Sequence, residues 1–263
     1  MTDRVKIFDE YLSQFTDKNR RKYIENLIND LPDYFFTVAA SSTGKYHPQY
    51  ALGNGGLVRH TLAAVKVATE LLRLDTYQSK FDDMKRDAII GALILHDGFK
   101  HGLENSASDF TVAEHPLVAA DFVKNSTYEV DKDFKSLIIS AISSHMGQWN
   151  TDFKTKKEIL PKPKTELQKF VHLCDYIASR KWLEVVFDDP YNPEDFKFSK
   201  IRQYITQIIS ICKQKVTDGE DRNKLYDLIA KYNGNKNPNS ITSVEVAQQI
   251  LDELSKDIKN DEN

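Results

Sequence analysis

The residues with the clearest chemical potential in this sequence are four histidines and two aspartates in its middle part. They are His60, His96, Asp97, His115, His145 and Asp175. The adjacent pair His96-Asp97 ends the apolar run AIIGALIL, where two polar residues have no simple structural explanation. Neutral imidazoles and ionised carboxylates are ligands that zinc and other transition metals prefer. The set therefore predicts a buried metal site, and such a site points to hydrolysis of phosphate esters.

Helical periodicity surrounds these residues and indicates how they are positioned. A helix over about 57–74 has His60 on its apolar stripe, and a helix over about 83–97 stacks His96 with Ile89 and Leu93. Three further helices carry one candidate each: 113–124 with His115, 132–146 with His145 and 165–186 with Asp175. A single histidine on an apolar face is usually a hydrogen-bonded core residue, but a lone buried carboxylate requires a cation or several donors. Together the six residues favour metal binding.

The rest of the chain is also expected to be helical. Glycine and proline number only 10 and 8, and strand-like alternation is nearly absent, so the predicted class is all-α. Further helices are predicted over 3–16, 18–30, 199–215, 220–232 and 242–258. We divide the chain into a helical extension over 1–50, a metal-site core over 51–190 and a C-terminal helical extension over 191–263 packed on that core. The two extensions contain no recognisable chemistry.

Composition limits the kind of partner and compartment. A net charge of −3 argues against a protein that holds nucleic acid by bulk electrostatics, although a local basic groove is allowed. Two cysteines make no disulfide framework and fit a reducing, cytoplasmic location. The charged N-terminus lacks a signal-peptide core, and no run approaches the roughly 18 apolar residues of a membrane span.

Several other enzyme classes leave no signature in the sequence. There is no G-x-x-x-x-G-K-[ST] phosphate loop, no G-x-S-x-G elbow, no C-x-x-C and no H-E-x-x-H. The acidic segment TDGEDRN has the wrong ligand spacing for an EF-hand. Cys174, although adjacent to Asp175, is interpreted as helix-face packing rather than as a nucleophile.

The order His … His-Asp … Asp, read as His60, His96-Asp97 and Asp175, resembles the HD superfamily of metal-dependent phosphohydrolases. The resemblance runs from about Gly55 to Trp182 and includes GGLVRHTL, HDGFK, EHPLVAADF, SSHMGQW and LQKFVHLCDYIASRK. It looks most like the branch with bacterial 3′–5′ exoribonucleases and relatives from phages and mobile elements. The resemblance implies an HD-domain-like helical bundle. It also implies a phosphodiesterase or nuclease that acts on a nucleotide or a single-stranded nucleic-acid end.

The same resemblance implies a metal stoichiometry. Its four-ligand set would hold one ion through His60, His96, Asp97 and Asp175. Family members with two extra histidines hold a second ion, and His115 and His145 stand where those extras are expected, with Asp97 as the bridge. Our hypothesis is a binuclear centre of divalent ions, and the sequence does not choose among Mn, Fe, Ni, Co, Zn and Mg.

Four residues near the predicted ligands are candidates for catalysis or substrate binding. Lys100 matches the lysine of the H-D-x-x-K variant and could neutralise phosphate charge, or it could be a solvated lysine past a helix end. Arg180 resembles a family arginine and suits either a phosphate or a structural ion pair. Trp149 could stack on a base or close the side of the bundle, and Gln148 lies beside it.

Two other functional classes stay open at this point. Some HD-fold proteins use the same ligands to hold two irons that activate oxygen, and others are nucleotide-binding regulatory modules. The exoribonuclease-like relatives have a separate nucleic-acid-binding barrel, and no strand-rich segment for one is found here. That difference leaves small cyclic or linear nucleotides as substrates alongside RNA or DNA ends. A homo-oligomer is compatible with the helical extensions.

Overall fold

The computed structural model describes residues 3–41, 47–103, 111–152, 155–185, 201, 203–212 and 219–260. Over this part the chain is helical and contains no strand, and its one isolated β-bridge joins Thr151 to Glu158. The predicted all-α class is thus confirmed. None of the helices described is both long and apolar enough to cross a membrane.

The described residues form two compact units. The first comprises those of 1–42, 47–51 and 55–187, and the second comprises those of 52–54 and 188–263. In the first unit the helices are α1 (Asp3–Lys6), α2 (Asp9–Leu12), α3 (Lys18–Asn29), α4 (Gly56–Leu72), α5 (Asp75–Gln78), α6 (Asp83–Leu95), α7 (His115–Asn125), α8 (Lys132–Ser144) and α9 (Glu166–Ala178). Short 3-10 turns span Asp33–Phe36 and Gln49–Ala51.

Most of these helices match the predicted ranges, with two differences. The helix predicted over 3–16 is two short helices, α1 and α2. Helix α9 ends at Ala178, so its predicted end near 186 is wrong, and Trp182 beyond this end is 71% exposed. The α-helical pattern ends after Ser179, since the Arg180 amide donates three residues back to the Ile177 carbonyl and the Ser179 hydroxyl donates to the Tyr176 carbonyl.

Local sequence signals fix where the site-bearing helices begin. Asp82 caps α6 by accepting from the Lys85 amide, and Asp131 caps α8 in the same way. Thr165 and Gln168 form a capping box at the start of α9. Helix α4 instead starts after Gly55, whose φ of +69° favours glycine. These starts set the rotation at which each helix presents its polar residue to the core.

Helix α6 is the centre of the first unit and is buried on nearly every side. Ala88, Ile89, Ala92 and Leu93 are all fully buried. Gly91 allows α3 to approach closely, since a Cβ there would lie 2.8 Å from Cδ1 of Ile24. The N-terminal helices therefore share one core with α4–α9, and burial of α6 delivers the His96-Asp97 pair into the interior.

The second unit has its own small helical core. It contains a helical segment α10 over 203–212, α11 (Gly219–Asn233) and α12 (Val244–Asn260), with a 3-10 turn at Pro238–Ser240. Its buried residues include Ile208, Ile229, Ile250 and Leu254. The apolar stripe of α12 thus packs within its own unit. The predicted packing of this segment on the metal-site core stays a prediction.

Candidate metal centre

The first unit brings the six predicted ligands together from five helices. His60 lies in the second turn of α4, His96 and Asp97 directly follow α6, His115 begins α7, His145 follows the last residue of α8, and Asp175 lies near the end of α9. The four histidines and Asp97 are at most 1% exposed, and the Asp175 side chain is 17% exposed. Residues that are distant in sequence thus form one buried polar cluster.

Asp97 lies between two pairs of histidines, with one carboxylate oxygen toward each pair. Its Oδ2 lies 3.7 Å from Nε2 of His60 and 3.5 Å from Nε2 of His96. Its Oδ1 lies 3.0 Å from Nε2 of His115 and 3.7 Å from Nε2 of His145. One carboxylate can therefore serve two adjacent sites, one through each oxygen.

Asp175 completes the first of these two sites. Its Oδ1 lies 3.0 Å from Nε2 of His60 and 3.5 Å from Nε2 of His96. Ligand atoms of His60, His96 and Asp175 all lie within 4.8 Å of one another, as do those of His96, Asp97 and His145. Each group is compact enough to bind a single ion.

Backbone hydrogen bonds orient three of the histidine rings. In His96, His115 and His145 the Nδ1 atom lies 2.6–2.7 Å from the carbonyl oxygen of the residue three positions earlier. A carbonyl oxygen can only accept, so Nδ1 must carry the proton in each ring. In the neutral ring Nε2 is then an unprotonated lone-pair donor that points into the cluster. This is the arrangement in which histidine binds metals.

The converging lone pairs need a positive partner. Nε2 of His115 lies 3.3 Å from Nε2 of His145 and close to Oδ1 of Asp97, so three acceptors face one another. Nε2 of His96 and Oδ1 of Asp97 are buried without a hydrogen-bond partner. Buried polar atoms without partners are rare and costly. Cations at these two positions would satisfy all of them, so the donor set fits a metal site.

The charge states inside the cluster also suit metal ligands. Burial lowers the pKa of His60 and of His115, which keeps these rings neutral at pH 7. Burial alone would raise the pKa of Asp97, but Lys100 and His96 hold it well below its usual range. Burial likewise opposes ionisation of Asp175, and the hydrogen bond with His60 together with the nearby His96 ring holds the pKa of Asp175 well below its usual range. Neutral His60 and His115 rings thus lie beside ionised carboxylates. Burial also disfavours the charged form of His96, but Asp97 and Asp175 raise the pKa of this ring.

Lys100 is part of the cluster rather than a solvated lysine. It is 8% exposed, and its Nζ donates to Oδ2 of Asp97 at 2.5 Å. The turn after α6 places Lys100 next to Asp97, because the Lys100 amide donates to the Asp97 carbonyl. The ammonium therefore compensates the negative charge of the Asp97 carboxylate.

Two histidines that sequence reasoning did not single out also contact the cluster. The His47 ring packs edge-on against His60, with centroids 5.2 Å apart, and its buried Nδ1 has no hydrogen-bond partner. His172 lies outside the ligand set and donates from Nδ1 to the His145 carbonyl at 2.6 Å. His47 lies outside the quoted motifs, and His172 lies within LQKFVHLCDYIASRK but not at a ligand position, so only the tertiary contacts reveal them.

The predicted substrate-binding residues lie on the surface beside the His145 and Asp175 segments. Trp149 is 46% exposed and stacks on Tyr176 with centroids 5.8 Å apart, and Gln148 is exposed next to it. The Arg180 guanidinium lies 4.2 Å above the Tyr176 ring. Trp149 therefore does not close the side of the bundle as a core residue would. Cys174 is fully buried, which agrees with its interpretation as packing.

No family model, curated protein or solved structure matches this chain. The interpretation of the centre consequently rests on the donor atoms described above and on the sequence motifs that carry them.

A glycine beside His145 gives a first test of how the centre is supported. Gly147 has φ +59°, and a Cβ there would lie 2.2 Å from Cε1 of His172. We expect Gly147→Ala to displace the His172 ring, loosen its bond to the His145 carbonyl and weaken metal affinity by about 10- to 100-fold. Metal titration monitored by calorimetry measures the effect.

Gly234→Ala is the matched control for this substitution. Gly234 also has a positive φ, +69°, but no atom lies within 4 Å of a Cβ added there. Both variants therefore carry the backbone cost of about 1 kcal/mol for a side chain in the left-handed region, and only one carries the clash. Equal metal affinities in the two variants would show that His172 does not support the centre.

Proposed function

We propose that the protein is a metal-dependent phosphohydrolase of the HD type, with two divalent cations bridged by Asp97. The main support for this proposal is the position of the two Asp97 oxygens, each of which faces its own pair of histidine Nε2 atoms. The motif resemblance supports the same class. The substrate we propose is a phosphate ester of a nucleotide or of a nucleic-acid end.

The ligands divide between two positions. His60, His96, Asp175 and Oδ2 of Asp97 would hold one cation, and His115, His145 and Oδ1 of Asp97 would hold the other. Bound cations of this kind lower the pKa of a coordinated water and neutralise charge on a phosphoryl group. Only three ligands are assigned to the second position, so a divalent cation there would have coordination sites left for substrate oxygens.

The residues of the chain contribute orientation and charge. The Nδ1–H bonds to backbone carbonyls hold three imidazoles in one rotation, which pre-organises the ligand atoms. Lys100 uses one N–H on Asp97 and has two others, which can donate to a non-bridging phosphate oxygen as charge develops. Burial of Lys100 and the ligands lowers the local dielectric and strengthens these interactions.

Hydrolysis of bis-p-nitrophenyl phosphate tests the proposal. Tag-free protein supplied with Mn²⁺, Fe²⁺, Ni²⁺ or Co²⁺ should release p-nitrophenol, and a chelator should stop the reaction. The His96→Ala variant should be inactive with each metal while its helicity by circular dichroism is unchanged. A screen of nucleotides, cyclic dinucleotides and short single strands would then define the natural ester.

Other outcomes separate the rival classes. Protein that is inert on diesters and monoesters with every metal contradicts the phosphohydrolase proposal. If the iron-loaded protein instead consumes oxygen, the di-iron oxygenase class is supported. If it binds nucleotides with neither reaction, it is a regulatory module.

A further inference from the structure

An aromatic and cationic surface adjoins the candidate centre. It consists of Trp149, Tyr176 and Arg180, which we call the aromatic platform. The Trp149 and Tyr176 rings are nearly parallel, with an interplanar angle of 14° and centroids 5.8 Å apart. The Arg180 guanidinium lies 4.2 Å from the Tyr176 centroid and 5.9 Å from the Trp149 centroid. Trp149 is 46% exposed, so a large part of its indole stays open to solvent.

Among the described residues, no carboxylate matches the charge of Arg180. Its guanidinium donates to the Tyr176 carbonyl and the Ser179 hydroxyl, which are both neutral acceptors. Within the described part of the chain, no acidic oxygen lies within 4.0 Å of it. An arginine that is stacked on rings and has N–H groups to spare suits an aromatic ligand with negative charge.

Short connections join the platform to the metal ligands. Tyr176 directly follows Asp175, and Trp149 lies on the turn after His145, where its amide bonds the Met146 carbonyl. His172 links the two segments, since it bonds the His145 carbonyl and packs edge-on against Trp149 with centroids 6.1 Å apart. A ligand that stacks on the platform would therefore lie beside the segments that carry His145 and Asp175.

We propose that the aromatic platform binds the nucleobase of the substrate, so that the ester cleaved at the centre belongs to a nucleotide unit. Every base offers a π-face, so stacking on Trp149 selects for a base without selecting its sequence. A free nucleotide and the terminal nucleotide of a strand share this chemistry. The claim that a nucleotide ester is cleaved rests on the proposed phosphohydrolase function, whereas the claim that the platform binds a base does not.

The two tryptophans of the chain allow a direct optical test. In Trp182→Phe, Trp149 is the only indole, and its fluorescence reports stacking. With chelator present, so that no hydrolysis occurs, AMP should quench this signal saturably, and ribose 5-phosphate, which has the phosphate but no base, should not. In the matched Trp149→Phe protein the exposed Trp182 should not respond to AMP. A short oligonucleotide that quenches at lower concentration than AMP would indicate a strand end as the preferred source.

Calorimetry then measures the contribution of the ring. Trp149→Ala should weaken AMP binding about tenfold and leave metal content unchanged. If AMP and ribose 5-phosphate bind alike and Trp149→Ala binds AMP as the wild type does, Trp149 only covers His172 and the inference is wrong. Quenching by AMP in a protein that hydrolyses no ester would refute the proposed function but not the platform. Hydrolysis of esters without quenching by AMP would support the proposed function and refute the binding of a base by the platform.

Discussion

Asp97→Asn should lose both metal ions and reduce hydrolysis of bis-p-nitrophenyl phosphate to the level of the chelated wild-type protein. The substitution preserves the shape of the side chain but removes the negative charge that faces two histidine pairs. An amide also places an N–H donor toward one of the two positions, where a cation would have to lie. Metal content by mass spectrometry and p-nitrophenol release measure the two losses.

The same substitution should destabilise the chelated protein, because it leaves the buried Lys100 ammonium without its carboxylate. Removing one partner of a buried ion pair costs about 3–5 kcal/mol. The double variant Asp97→Asn/Lys100→Met removes both charges, so we expect it to regain much of the unfolding free energy while staying metal-free and inactive. Urea unfolding with chelator present distinguishes the two variants.

Asp87→Asn, in the helix α6 that precedes Asp97, is the matched control. Asp87 is also a buried aspartate, 3% exposed, and pairs with Arg20 at 3.0 Å, but it contacts no histidine. Burial raises the pKa of Asp87 despite Arg20, whereas the pKa of Asp97 is held low by Lys100 and His96. We expect Asp87→Asn to alter stability and to keep both metal and activity. Equal loss of metal in the two variants would mean that Asp97 acts through the fold alone.

The sequence predicted the supports of the site well because their signals are local. The apolar periodicity of α4, α6 and α8 and the capping residues before α6, α8 and α9 depend on neighbours within a few turns. The end of α9 was predicted less well, because Trp182 continues the apolar spacing although it is 71% exposed. Spacing alone does not tell which apolar residue lies beyond the packed part of a helix.

Contacts between distant segments could not be predicted in the same way. Lys100 could equally be a solvated lysine, and its burial depends on the turn that returns it to Asp97. Neither His47 nor His172 was a predicted ligand, and they reach the cluster through contacts with His60 and His145 respectively. The assignment of each Asp97 oxygen to a histidine pair likewise requires coordinates. The sequence therefore predicts which residues are ligands, whereas the fold predicts how these ligands are divided between two metal positions.

The proposed division of the ligands between two positions predicts the number of ions that each chain binds. In the proposed centre one position would have four ligands, including Asp175, and the other would have His115, His145 and Oδ1 of Asp97. We expect tag-free wild-type protein to bind two ions per chain and to release them to a chelator in two steps, the three-ligand position first. His115→Ala should bind one ion, and the first step should be absent.

His101→Ala provides the control for loss of a histidine as such. His101 stacks on Tyr34 with centroids 5.5 Å apart and belongs to neither ligand group, so this variant should keep two ions. If the wild-type protein binds one ion per chain and excess metal does not change this number, the proposed second metal position is wrong. In that case His115 and His145 would need another positive partner, because their Nε2 atoms lie 3.3 Å apart beside Asp97. A proton shared between the rings would supply it, and nitrogen-15 chemical shifts of the two imidazoles distinguish that proton from a metal.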